Sequence, residues 1–329
     1  MQKEAAVVLE KDSKGFKSRM KSIWGSKKFQ DRFWFWLFLL PVTIPFLLMV
    51  ITPFIMGIYY SFTDWDGGIT QTNWIGLENY RGLLNDHRFI YSFYRTIIYS
   101  ILNVIMINLA AFGLALLVTR KLKLTNIYRA GFFMPNLIGG LIIGYLWRFI
   151  FNVALGSDGL GIFSSSPIND SRAMFALVFV VTWQFAGYIM MIYVAALQNV
   201  PEDLIEASQI DGANAWQRLR NITLPLIAQA FTVAMFLTLV TAFKQFDTVV
   251  SLTQAGPPTR LPEVIQNFVG LERQPLVNST QLLTYNIFNW GWERRNLASA
   301  QSQAVAFFLI LAIVSLGQVY FNKKREVEL

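Results

Sequence analysis

Long apolar runs alternate with short polar segments along the 329 residues, and the runs set the architecture. They lie at about 33–60, 95–118, 132–151, 173–197, 222–246 and 304–321. A helix needs roughly 20 apolar residues to cross the hydrocarbon core of a bilayer. The pattern therefore predicts an all-α polytopic membrane protein with six transmembrane helices. Between the runs lie a polar tail (1–32), a polar segment at 198–221 and a long mixed segment at 247–302. Pro41, Pro45 and Pro53 predict bends in the first span, which neighbouring helices can accommodate. Gly140 and Gly144 form a small-xxx-small pair that allows another helix to approach the third span closely.

Composition sharpens this reading. Hydrophobic residues make up 54% of the chain and charged residues only 15%, the latter in blocks. A net charge of +8 is compatible with nucleic-acid binding, but the basic residues cluster beside apolar runs and no recognition motif accompanies them. Their distribution instead reports topology. Lys3, Lys11, Lys14, Lys17, Arg19, Lys21, Lys27, Lys28 and Arg32 fall in the tail. Arg120, Lys121, Lys123 and Arg129 follow the second span, Arg218 and Arg220 the fourth, and Lys323, Lys324 and Arg325 the sixth. With six spans these lie on one side, so both termini and segment 198–221 are expected to be cytoplasmic, and 247–302 an external cap with short helices. Phe16, Met20, Ile23 and Trp24 lie at helical spacing in the tail, which fits either an interfacial helix or an unstructured tail.

Several chemistries are missing. The chain has no cysteine and one histidine, His87, so disulfides, thiolate catalysis and Cys-based metal sites are excluded. No GxxxxGK[ST] loop is present to cradle ATP, and no GxSxG or HExxH motif. Lys244 and Asp247, three residues apart near the end of the fifth span, are the main ionisable pair near the membrane. No inverted repeat with midplane acids points to an ion-coupled carrier. The chain is expected to be no enzyme, with no cofactor of its own, and to draw energy from elsewhere.

The segment EASQIDGANAWQRLRNITLP (Glu206–Pro225) supplies a route for that energy. Pro201-Glu202-Asp203 opens a helix, with Pro at its start and acids at its positive end. Asn199 is a candidate cap for this helix. Gly212 breaks it, and Ala213, Trp216 and Leu219 resume a second helix with an apolar stripe. Pro225 sets the start of the fifth span. The result is a helix–Gly–helix elbow, with Ala207 and Ser208 leaving a shallow surface and Glu206 lacking an evident local base. It either packs under the bundle or receives a partner.

These residues resemble the cytoplasmic-loop signature of binding-protein-dependent ABC transporter permeases, E-A-A-x3-G-x9-I-x-L-P. Glu206, Ala207, Gly212, Ile222, Leu224 and Pro225 match in place, and Ser208 replaces an Ala. The likeness extends over nearly all of the chain after the tail and is greatest to maltose/glycerol-phosphate-type sugar permeases. SFTDWD (Ser61–Asp66), WIGLENYRGLL (Trp74–Leu84), FFMPNLIGGLIIGYLWRFIFN (Phe132–Asn152) and AGPP (Ala255–Pro258) carry it. Residues 259–278 lengthen the last external loop beyond the usual pattern.

The resemblance implies a type I ABC importer permease in the bacterial inner membrane. It implies a second permease subunit, two ATP-binding cassette subunits that hold ATP and Mg, and an external solute-binding protein delivering a sugar or oligosaccharide. Glu206, Ala207, Ser208, Asp211 and Gly212 then form the coupling contact with the ATPase. Tyr188, Thr238 and Gln245 align with sugar-lining residues of the maltose-type permease, and Gln184 and Thr241 fall at lining positions while differing in type. Interhelical hydrogen bonding is an equally available role for each. A standalone channel or secondary carrier, or a membrane scaffold or sensor, is the alternative from a different class.

Overall fold

The computed structural model describes residues 27–68, 72–120, 123–155, 159–162 and 165–323. The candidate tail helix, Lys121, Lys324 and Arg325 lie outside these residues.

The chain divides into two compact units, Met1–Tyr59 and Tyr60–Leu329. In the first, α1 (Lys27–Phe46) keeps helical form through Pro41 and Pro45. A π turn at Leu47–Ile51 then leads into a last helical segment, Thr52–Tyr60. Proline removes the N–H that would serve the carbonyl one turn back, and a widened turn redistributes the remaining bonds. The Thr52 hydroxyl donates to the Leu47 carbonyl at 2.9 Å and supports that turn.

The second unit opens with a loop sealed by aromatic contacts, Tyr60 on Trp65 and Phe62 on Trp74. Then come α2 (Glu78–Asn85), α3 (His87–Val118), α4 (Thr125–Leu137), α5 (Gly140–Phe149) and α6 (Ala173–Gln198). Asp86 caps α3 by accepting from the Arg88 amide at 2.9 Å, so His87 is simply the first residue of that helix. α7 (Glu202–Ile210), α8 (Ala215–Arg218) and α9 (Ala228–Phe243) follow. The cap segment holds β1 (Pro258–Arg260), α10 (Glu263–Val269), β2 (Leu276–Asn278) and α11 (Leu283–Phe288), and α12 (Leu297–Lys323) ends the chain. The core is centred on α3 and α6, with fully buried Tyr99, Ile107, Leu177, Met190 and Tyr193.

Among the described residues four helices are long and apolar enough to cross a membrane, or six if each of two bent pairs counts as one span. The bends fall within the runs at 132–151 and 222–246. α4 and α5 meet at 97°, where Ile138 and Gly139 are extended. The helical run through Leu226 meets α9 at 72°. Pro225 thus lies in the helical run before the bend rather than at the start of the span. The cap also contains a two-stranded antiparallel hairpin, with Thr259 opposite Val277, where only short helices were expected.

Gly140 and Gly144 do accept a close neighbour. Gly144 meets the π turn Val249–Thr253 that follows α9, and Gly140 meets Asp247 and Thr248 just before that turn, rather than another span. A Cβ on Gly144 would fall 1.8 Å from Ser251 Oγ and 3.0 Å from the Leu252 amide nitrogen. Gly187 on α6 is tighter still, with the Phe132 carbonyl oxygen 1.8 Å from its would-be Cβ. Outside the bundle, the guanidinium of Arg172 holds the Asp170 carboxyl down at about 2 and fixes the turn before α6.

Candidate functional site

The elbow is built by one left-handed residue. Gly212 has φ +78°, a backbone region that disfavours any side chain. Around it the Ala213 amide donates to the Ser208 carbonyl at 2.9 Å and the Gly212 amide to the Gln209 carbonyl at 3.1 Å. That pair of bonds is a Schellman motif, which closes the orphan carbonyls at the end of α7. A capping box then starts α8: the Asn214 side chain accepts from the Gln217 amide, and the Gln217 side chain from the Asn214 amide. The Arg218 guanidinium donates to the Ala213 carbonyl at 2.6 Å and closes the corner. Two capped helices thus meet at a fixed angle.

Asn199 does not cap α7. It closes α6, with its amide donating to the Ala196 carbonyl at 3.1 Å, and Pro201 precedes α7 without a side-chain cap. Glu206, Ala207, Asp211 and Gly212 are exposed, whereas Ser208 is buried and its hydroxyl donates to the Ile205 carbonyl at 2.7 Å. Ser208 therefore supports the elbow from beneath instead of facing outward. Glu206 forms no ion pair or hydrogen bond among the described residues, although Arg120 and Arg218 line the same groove of ≈ 800 Å³. Among the exposed large apolar side chains of the described residues Ile210 stands out at 87%, with Trp216 at 65%. These two apolar side chains at the tip were not singled out as contact residues. An apolar residue beside the glycine break is the signal that finds Ile210.

A second site lies where α5, α6 and the end of α9 converge. Gln184, Thr241, Lys244, Gln245, Phe246, Asp247 and Gly140 are among the residues around a cavity of ≈ 280 Å³, near the lower limit for small-molecule pockets. Gln184 is 4% exposed, and its amide donates to the Ile138 carbonyl at 3.1 Å, at the α4–α5 break. Its own Oε1 is buried without a partner among the described residues, as is the hydroxyl oxygen of Thr248, another lining residue. The Gln245 side chain makes no hydrogen bond among the described residues. Asp247 sits beside Gly140 in the first turn of α5, where a negative charge complements the helix dipole. Lys244 and Asp247 form no ion pair with each other or with another described residue.

Three of the five expected path residues, Gln184, Thr241 and Gln245, thus share this cavity. Tyr188 opens instead onto a largely apolar groove with Arg129, Phe133 and Met191. Thr238 is 2% exposed and belongs to an interhelical network. The Tyr193 hydroxyl donates to Asn108 Oδ1 at 2.6 Å, and Asn108 Nδ2 donates to Thr238 Oγ1 at 3.0 Å, joining α3, α6 and α9. The resemblance gave Thr238 no such partner, since Asn108 is 130 residues away in sequence. Replacing Asn108 by Ala leaves the Tyr193 hydroxyl without its acceptor, while the Thr238 hydroxyl still donates to the Ala234 carbonyl at 2.8 Å. We expect it to lower stability by about 1–3 kcal/mol in a thermal melt of the solubilised protein, while conservative Asn108→Gln loses less.

Bent apolar spans, an elbow with an exposed acid, and a polar cavity at a helix break together fit a membrane-embedded transport subunit. The chain belongs to the family of binding-protein-dependent transport system inner membrane components, whose model matches residues 88–327. It is 41% identical to the probable starch degradation products transport system permease protein AmyD of Thermoanaerobacterium thermosulfurigenes, over 92% of this chain and 99% of that protein. It is 27% identical to the multiple sugar-binding transport system permease protein MsmF of Streptococcus mutans, over 92% and 99% respectively. Its fold matches a chain of a bacterial ABC transporter involved in the import of the acidic polysaccharide alginate. That match has a TM-score of 0.72 at 19% identity and covers 91% of this chain and 98% of the other. Family membership sets aside the standalone channel or secondary carrier and the scaffold. The chain is an inner-membrane permease component, not an enzyme.

Proposed function

We propose that the chain is one permease subunit of an ATP-driven importer of sugars or oligosaccharides, coupled through its elbow to a separate ATPase. The observation that carries this reading is the elbow itself. Its corner is locked by Gly212 and two caps, and its outer surface presents Ile210, Trp216 and the exposed Glu206. A rigid knob of this kind transmits a movement only if the partner contacts it differently in two states. ATP and Mg are held by two cassette subunits, a second permease completes the pathway, and a solute-binding protein delivers substrate on the outer side. The distribution of basic segments supports a cytoplasmic side for both termini and the elbow.

A sugar substrate is supported by the relatives' names and by the chemistry of the cavity. Amides at Gln184 and Gln245 and hydroxyls at Thr241 and Thr248 offer the paired donors and acceptors that sugar hydroxyls need. Lys244 and Asp247 present one charge of each sign, which suits a neutral ligand as well as an anionic one. The reading is tested with the reconstituted complex in liposomes. Gln245→Ala is expected to raise KM for maltodextrin uptake about tenfold, the loss of roughly one hydrogen bond. Tyr188→Ala, outside the cavity, stays within about twofold. A flat response to Gln245→Ala places the site elsewhere.

A further inference from the structure

The segment Phe288–Asn296, with the sequence FNWGWERRN, is more aromatic than a connector requires, and neither the elbow nor the cavity uses most of it. Two of its rings, Phe288 and Trp292, continue a series that begins at Phe246. Phe246 lines the polar cavity, and Phe288 meets it at a centroid distance of 5.2 Å. Trp292 stacks on Phe288 at 6.3 Å with only 11° between the ring planes. Exposure rises along the series, from half-buried Phe246 through Phe288 to Trp292 at 77%.

The series is held firmly. Thr284 Oγ1 donates to the Gln245 carbonyl at 2.5 Å, tying α11 to the end of α9. Asn286 Nδ2 donates to Gln303 Oε1 at 2.8 Å, tying it to α12. The π turn Asn289–Glu293 carries Trp292 over Phe288, and Asn289 donates to the Glu293 carboxylate within that turn.

We propose that Trp292, Phe288 and Phe246 form a stacking track that takes a sugar chain by its ring faces and leads it to the Gln184–Gln245 cavity. A pyranose ring presents an apolar C–H face and a rim of hydroxyls. Aromatic faces hold the first without selecting among sugars, while polar groups read the second. The track rests on the sugar-import reading above and adds that the outermost ring acts only on chains long enough to span it. An isolated exposed Trp is also a common membrane-interface anchor. The continuity of the rings with a polar cavity favours the track.

The test uses the full reconstituted complex, with maltose and maltohexaose as probes. Trp292→Ala is expected to raise KM for maltohexaose about tenfold and for maltose by less than about twofold, and Trp292→Tyr to retain both. Equal shifts for both sugars, or no shift for either, overturn the track. A loss of protein from the membrane that lowers both uptakes equally also overturns it and marks an interfacial anchor. If the unchanged complex imports neither sugar, the substrate reading fails and the track with it. That outcome differs from failure of the track alone, in which both sugars still enter.

Discussion

Gly212→Pro is expected to reduce ATP-dependent uptake to background while the protein still inserts and assembles. Proline fixes φ near −65°, and Gly212 sits at +78°. It also removes the amide that donates to the Gln209 carbonyl, so the Schellman motif opens and the two elbow helices lose their fixed angle. The loss is not one of crowding, because a Cβ on Gly212 would meet nothing within 4 Å in this chain. Gly212→Asn is the informative companion, since Asn tolerates the left-handed region. It should keep the elbow folded and retain most of the uptake. Normal transport by the Pro variant, measured with labelled sugar in liposomes, would remove the elbow from the coupling path.

The second large effect belongs to Gly187, where α6 touches the backbone of α4. A methyl there would fall 1.8 Å from the Phe132 carbonyl oxygen and 2.3 Å from its carbon, both backbone atoms that cannot rotate aside. The two helices must separate, and the Gln184–Ile138 hydrogen bond spans the same interface. We expect Gly187→Ala to cost about 2–3 kcal/mol. Gly144→Ala should cost less, because its nearest obstacle is the Ser251 hydroxyl, although the Leu252 amide nitrogen 3.0 Å away limits relief. Gly113→Ala, with open space around it, should be neutral or stabilising by up to about 1 kcal/mol. Thermal melts of the four solubilised proteins check the ranking, and a Gly187 variant as stable as the Gly113 variant would contradict the packing.

The six apolar runs and the elbow were legible because length, charge and one glycine encode them directly. The breaks inside two runs were not. Leu137, Ile138 and Gly139 continue the apolar pattern, so hydropathy carries straight through a 97° bend, and only the Gly139–Gly140 pair hinted at it. The bend near Ile227 comes two residues after Pro225, and the π turn at Leu219–Thr223 shifts the widened backbone upstream of the proline. The strands at Pro258–Arg260 and Leu276–Asn278 are three residues each, too short to show alternation. Within the candidate path, sequence places residues on a helix but does not say which neighbour each meets. Thr238 therefore turned inward to Asn108, and Tyr188 opened onto a different groove from Gln184 one turn earlier. At the elbow the exposed acid and glycine were legible. The apolar tip was not, because Ile210 looks like a core residue until the fold leaves it outside.

The chain contains no cysteine, so a single Ile210→Cys substitution gives a unique reactive position at the tip of the elbow. Oxidative cross-linking of this variant to single cysteines placed around the cleft of the partner ATPase tests the coupling claim most directly. The expected result is a cross-link whose yield changes when ATP is added to the reconstituted complex. Absence of any cross-link in an assembled, transporting complex, or a yield indifferent to ATP, would contradict it.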